Sequence, residues 1–256
     1  MSIIEQYREK LIGQKFDTNN CGVCEIIDYK NSQQVTVKFY EPEYVTTCFL
    51  HQLRKGTVRN PFVPSFYGKG YMGVGKYSFK DKRVYDLWAN LLKRVYCDKS
   101  RHKFPTYTEA SVCDEWLNFQ NFAEWCYTQK FFNVKDDKGR WYQLDKDLLS
   151  EGVKIYSPNT CCFIPKDINL MLTLNDVNRG EFPVGVTRIK STGRFEATLS
   201  SNKKSYLGVF DTAEEAFLVY KTAKESYVKD VAEFWNGSID HKAYTALLNY
   251  QININD

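Results

Sequence analysis

The strongest constraint lies between Val184 and Val231, where the hydrophobic period changes once, from strand-like alternation to a helical stripe. Val184–Lys190, Arg194–Ser200 and Tyr206–Phe210 read as three strands, joined by turns at Ser191-Thr-Gly193 and Ser201–Ser205. In the middle strand Phe195, Ala197 and Leu199 point one way, and Arg194, Glu196, Thr198 and Ser200 the other. Thr212-Ala-Glu-Glu215 is a capping box, which satisfies the first free amides of a helix and marks its start. Beyond it Ala216, Phe217, Tyr220, Ala223, Tyr227 and Val231 form one apolar stripe. A single helix covers one face of such a sheet and leaves the other polar and open.

The chain has 256 residues, enough for one or two domains with real cores. With 43% apolar and 26% charged residues it is neither disordered nor membrane-embedded. No apolar run is long enough for a membrane span, and Met1–Gln6 lacks the basic flank and apolar core of a signal peptide. Aromatics, at 16%, recur along the whole chain and favour several small ring-filled cores. Of the eight cysteines, only Cys21 and Cys24 form a CxxC pair. A closed zinc site needs a second pair, for which Cys161-Cys162 or Cys97 and Cys113 are the candidates. Free buried thiols are the expectation in a chain without an export signal.

The formal charge of +4 is unevenly spread. Arg54, Lys55, Arg59, Lys69, Lys76, Lys80, Lys82 and Arg83 face only Asp81, and Lys93, Arg94, Lys99, Arg101 and Lys103 face only Asp98. A third basic stretch runs from Arg179 to Val209, through Arg188, Lys190, Arg194, Lys203 and Lys204, against Glu181 and Glu196. Basic segments alternating with acidic ones point to discrete contacts with a polyanion, and so to nucleic acid.

Residues 1–60 read as short strands, Cys24–Tyr29 and Val35–Phe39 turning at Lys30-Asn-Ser32, with a small twisted β-barrel as the expected closure. Residues 61–83, with Pro61, Pro64 and a run of glycines, read as a basic Gly/Pro arm. Gly68-x-Gly70-x-x-Gly73 matches the dinucleotide fingerprint in form only, because no buried strand leads into it and no helix starts at it. Lys69, Lys76, Lys80 and Arg83 are instead expected to follow phosphates.

From residue 84 to 175 helices come first: Val84, Leu87, Trp88, Leu91, Leu92 and Val95 share a face, and Trp116, Phe119, Phe122, Ala123 and Cys126 form a second run. After a turn at Asp136-Asp-Lys-Gly139, Gly139–Asp147 reads as a strand, followed by a second short strand or turn at Ser157–Ile164 and a helix from Pro165. This strand, loop, strand, helix order is that of the ββα frame of HNH nucleases. Tyr85-x-x-Trp88, Cys97, Val112-Cys-Asp-Glu-Trp116-Leu-Asn-Phe119-Gln-Asn-Phe122, Leu144-Asp-Lys-Asp147 and Tyr156-Ser-Pro158-x-x-Cys161-x-Phe163-x-Pro165 carry a resemblance to a phage family related to HNH homing endonucleases. The resemblance implies a phage-encoded protein at work in the bacterial host cytoplasm, and a one-metal nuclease site with a histidine base. Lys146 stands where that histidine would be, and Thr160 near the expected asparagine. The residues left for catalysis are Asp145 and Asp147, alternating on a strand and able to hold Mg²⁺, with His102 as the remaining base.

The C-terminal unit, residues 180–236, is similar to the Apetala-type (ethylene-response-factor-like) DNA-binding domain, through Gly185-Val186, Arg194-Phe-x-Ala197 and Tyr206-Leu-Gly-Val-Phe-Asp-Thr-Ala-Glu-Glu-Ala216-x-x-x-Tyr220. That family lays its sheet in the major groove. Carried over by position, Thr187, Ile189, Arg194, Glu196, Thr198 and Tyr206 would face DNA, and Arg188, Lys190, Lys203 and Lys204 would take phosphates. Residues 237–256 read as a C-terminal tail. The expectation is a modular α+β protein that binds double-stranded DNA, with no membrane association. It would cut or nick with Mg²⁺, act as a nuclease-dead regulator or site-occluding protein, or inhibit a protein partner in phage–host conflict.

Overall fold

The structure is a computed structural model that describes residues 3–103, 108–150, 152–172, 181–200 and 204–255. The fold is α+β, and the chain divides into two compact units, Met1–Glu124 and Trp125–Asp256.

The first unit opens with helix α1 (Ile3–Leu11) and four strands, β1 (Lys15–Asp17), β2 (Val23–Asn31), β3 (Gln34–Tyr40) and β4 (Glu43–Cys48). They pair antiparallel in the order β1-β2-β3-β4. Among the described residues β1 and β4 remain edges, so the sheet is open where the sequence suggests a closed barrel. Strict alternation in β3 buries Val35, Val37 and Phe39, which pack with Cys24, Ile26 and Leu53 of the short helix α2 (Leu50–Arg54).

Residues 61–83 do not form a free arm. Phe66 bridges to Gly70, and Tyr71 exchanges backbone hydrogen bonds with Leu117 and Phe119. Phe66 packs edge-on to Trp88 of helix α3 (Lys82–Tyr96), with ring centroids 4.6 Å apart. A Cβ on Gly70 would come within 2.2 Å of Leu92, so glycine is what lets the backbone lie on this helix. Further along, Gln120 donates to the Met72 and Tyr77 carbonyls and accepts from the Tyr77 amide. The segment is a strap clamped by side chains remote in sequence. After α3 come α4 (Asp98–Lys103), β5 (Ser111–Val112), α5 (Asp114–Leu117) and α6 (Phe119–Thr128). The fully buried rings of Trp88, Trp116, Phe119 and Phe122 fill the space between the helices.

In the second unit β6 (Gln143–Asp145), β7 (Ile155–Tyr156) and β8 (Cys162–Ile164) precede helix α7 (Lys166–Leu172). β6 and β8 pair antiparallel, Leu144 opposite Phe163, and α7 packs on β6. The strand, loop, strand, helix order is therefore present. The last part is β9 (Val186–Arg188), β10 (Phe195–Ser200) and β11 (Lys204–Phe210), ordered β11-β10-β9, with the long helix α8 (Ala213–Phe234) against the sheet. The Thr212–Glu215 capping box forms. Val186, Ala197, Leu199, Ala216, Phe217 and Tyr220 make the core. Residues 237–256 are not a loose tail. Helix α9 (His241–Leu248) buries Ala243 and Leu247, and Ile252 enters the sheet–helix core. The Ile252 amide donates to Glu225 and its carbonyl accepts from Lys221.

Candidate nucleic-acid interface and central hairpin

The open face of the C-terminal sheet follows from its register. Directly opposed residues of an antiparallel pair share a face, so Glu196 stands between Thr187 and Val209, and Thr198 stands beside Tyr206. A bulge at Leu207, between the pairs Thr198–Tyr206 and Ala197–Gly208, keeps Tyr206 outward and turns Leu207 to the core. Tyr206 is 66% exposed, the most open ring on the sheet. Gly185, with φ of +78°, packs its backbone against the Tyr220 ring, and its carbonyl accepts from the Thr198 amide.

Arg194 leaves the strand on the open side, where its Nε donates to Asp211 at 2.7 Å. Glu196 has no cation paired with it among the described residues, so the described part of this face is not basic. The cations sit at its rim. Lys190 is exposed in the turn after β9. Arg188 lies opposite Phe195, on the helix side of the sheet's edge rather than the open side, with its Nε directed to the Gly193 carbonyl at 3.4 Å. Ile189 is half-buried. Lys203 and the side chain of Lys204 lie outside the described residues.

Of the exposed lysines on the strap, Lys69 at the Phe66–Gly70 bridge and Lys80 beside Ser78 are in no ion pair among the described residues. Lys76 is bound instead to Glu124 at 2.9 Å and lies over the Tyr77 ring, and Glu124 holds its ammonium above the usual lysine value. Arg83 is half-buried in the first turn of α3.

In the central hairpin the two acids part company. β6 ends at Asp145, whose Oδ1 accepts from the Leu148 amide at 2.9 Å, an Asx-type turn that sends the chain outward. Asp145 is 8% exposed, and burial raises its carboxyl above the ordinary range. Asp147, past the strand, has a 78% exposed side chain and pairs with the ammonium of Lys146. The alternation expected to put both carboxylates on one face therefore fails. Lys146 is itself buried, its ammonium 5.7 Å from the centroid of the Tyr156 ring. Thr160 staples the loop: its hydroxyl donates to the Ile155 carbonyl at 2.7 Å and accepts from the Ser157 amide at 3.0 Å. His102 belongs to the other unit and is exposed, with Nδ1 at 2.8 Å from the Asp98 carbonyl.

These donors do not fit a Mg²⁺ site. One carboxylate is turned inward onto a backbone amide, the other is exposed and paired with Lys146, and among the described residues no three His, Cys, Asp or Glu side chains converge. The same holds for zinc. All eight cysteines are free of disulfides, and among the described residues they do not gather into a set of three or more metal-ligating side chains; burial pushes the Cys161 thiol up to about 12 and that of Cys48 to about 11.

One polar group that the sequence reading missed holds the hairpin on α7. Asp136, nearly buried in its turn, accepts from the Lys138 and Arg140 amides and from Arg140 Nε at 2.7 Å. Arg140 reaches on to Asp167 in the first turn of α7, which Lys138 also contacts. Burial pushes the Asp136 carboxyl up, yet the Arg140 contacts outweigh it and hold it below the usual range; Lys138 and Arg140 do the same for Asp167. The signal was Asp136-Asp-Lys-Gly139, a turn whose first Asp can cap the following amides.

No family model, curated protein or solved structure matches this chain.

Proposed function

We propose that this chain is a double-stranded-DNA-binding protein of the phage HNH homing-endonuclease type, one that grips DNA without cutting it. The reading is carried by the one-sided cover of the C-terminal sheet. α8 protects one face, while Thr187, Arg194, Glu196, Thr198 and Tyr206 occupy the other as side chains of reading type, with Lys190 beside them. β-Sheets of this size enter the major groove, where such side chains meet base edges. Lys69 and Lys80 on the strap, and Lys203 and Lys204, which follow β10 in the sequence, supply sequence-independent phosphate contacts. Binding without cutting is favoured by Lys146 in the general-base position and by the engagement of Asp145 with the Leu148 amide. The place of action is the bacterial cytoplasm.

The test is a mobility-shift and anisotropy series on random duplex across a salt gradient, with plasmid cleavage followed in Mg²⁺ and in Mn²⁺. With about six phosphates neutralised, the logarithm of affinity falls with a slope of roughly −0.9 per phosphate against the logarithm of salt. A flat salt response ends the DNA reading. Metal-dependent nicking would retain the DNA reading and overturn the non-cutting one.

A further inference from the structure

Between the 136–139 turn, α7 and the C-terminal end of α8 lies a cleft of about 400 Å³, lined by no residue of the sheet. Ile168, Met171 and Val231 give it an apolar floor, and Tyr227, Phe234 and Trp235 bring rings to it. Phe234, the last residue of α8, is 79% exposed and sits edge-on to Trp235 at 5.5 Å. The charged lining is three carboxylates, Asp137, Asp167 and Asp230, against the single ammonium of Lys138. Lys138 is bound by Asp167, which also holds Arg140. Asp137 and Asp230 are exposed, with no cation paired to them among the described residues.

Ring faces attract cations, and carboxylates at the rim select for positive charge and against phosphate. A guanidinium satisfies both demands, stacking flat on a ring while its fork of donors reaches a carboxylate, which a lysine ammonium does less well. The volume is in the range of pockets that enclose a small ligand or one anchored side chain. We propose that this cleft receives an arginine side chain presented by a peptide segment of a partner protein. The assignment is independent of DNA binding: it uses different residues and the opposite charge.

Panning a library of random dodecapeptides on the full chain tests it, with an Asp137→Asn/Asp230→Asn variant and Phe234→Ala as comparison targets. These residues are exposed, so both variants should keep the parent melting temperature and its DNA affinity. The expected result is a set of arginine-bearing peptides whose affinity falls about tenfold on either variant, and about tenfold again when the arginine is replaced by neutral citrulline. The proposal is overturned if panning yields no binder, if the binders are indifferent to both variants, or if citrulline binds equally well. It is also overturned if sedimentation shows self-association that Phe234→Ala abolishes, since the occupant would then be a second copy of this chain.

Discussion

The central hairpin and the C-terminal sheet use the same parts, short antiparallel strands with one helix against them, and treat their polar side chains in opposite ways. In the hairpin nearly every polar group is committed internally: Asp145 to the Leu148 amide, Thr160 to its own loop, Asp136 to Arg140, and Arg140 to Asp167. In the sheet the polar row of β10, exposed or half-buried, meets its neighbours on the open face, and within it only Arg194 is tied to an acid, Asp211, among the described residues. A buried polar group must find a partner or cost free energy, so short strands inside a loop-rich hairpin spend their polar residues on structure. A sheet covered on one side has no such demand on its outer row. Side chains available for a ligand are therefore to be sought where the fold does not need them.

The largest effect should come from the covered side of the sheet. Phe217 is 3% exposed at the centre of the sheet–helix core. Phe217→Ala leaves a cavity and should cost about 3–5 kcal/mol, read as a large fall in melting temperature and loss of hydrogen-exchange protection in β10. Stability near the parent value would mean that α8 does not hold the sheet.

Gly185→Ala should come next, at about 3 kcal/mol. Its Cβ would lie 2.1 Å from the Tyr220 ring, and φ of +78° is unfavourable for alanine. Tyr220→Ala in the same background should recover part of the lost stability if the clash is the cause, and none if backbone strain alone is.

The covered side was also the most legible in the sequence, because its signals are local: alternation from Phe195 to Leu199, the Thr212–Glu215 box and the stripe after it. The strap was illegible for the converse reason. Its glycines answer to Leu92, Asn118 and Gln120, which nothing local announces, so a Gly/Pro-rich stretch read as an arm. The paired acids misled because strand length decides which residues share a face, and β6 stops two residues short of Asp147. The last twenty residues read as a tail because Ile252 looks like any exposed isoleucine until α9 turns it into the core.

A smaller effect with an informative sign belongs to the hairpin. Burial raises the Asp145 carboxyl above its unfolded value, so the folded hairpin holds this proton longer than the unfolded chain does. The contribution of Asp145 is then most favourable below its unfolded pKa and is lost as pH rises through the folded one. Asp136 and Asp167 run the other way: their depressed values give stability above the unfolded carboxylate range that is lost as pH falls through the folded values. Asp145→Asn keeps an acceptor for the Leu148 amide without the charge. It should raise stability at pH 7 by about 1 kcal/mol and leave acid stability unchanged. Thermal melts at the two pH values check this, and destabilisation at pH 7 would show that the charge of Asp145 has a partner or a ligand.

The smallest stability effects should fall on the open face, and there the comparison is sharpest. Tyr206 is 66% exposed and opposite Thr198, so Tyr206→Ala removes no core volume and should change stability by no more than about 0.5 kcal/mol. Arg194→Ala should do equally little, because the Asp211 pair is exposed on both sides and such pairs contribute at most about 1 kcal/mol. In DNA binding the two should separate. An arginine aimed into the major groove discriminates a preferred base by about 1–3 kcal/mol, whereas one on a phosphate weakens all sequences alike. Arg194 has to release Asp211 to do either, so Asp211→Ala should strengthen binding, both by freeing the guanidinium and by removing a negative charge near the phosphates. The measurement is anisotropy on a selected site and on random duplex for Arg194→Ala, Asp211→Ala and the double variant. If Asp211→Ala strengthens binding and the gain vanishes in the double variant, Arg194 is the reader that Asp211 restrains. If the double variant keeps the whole gain, Asp211 acts only by repelling phosphate, and the reading falls to Tyr206 and Thr198.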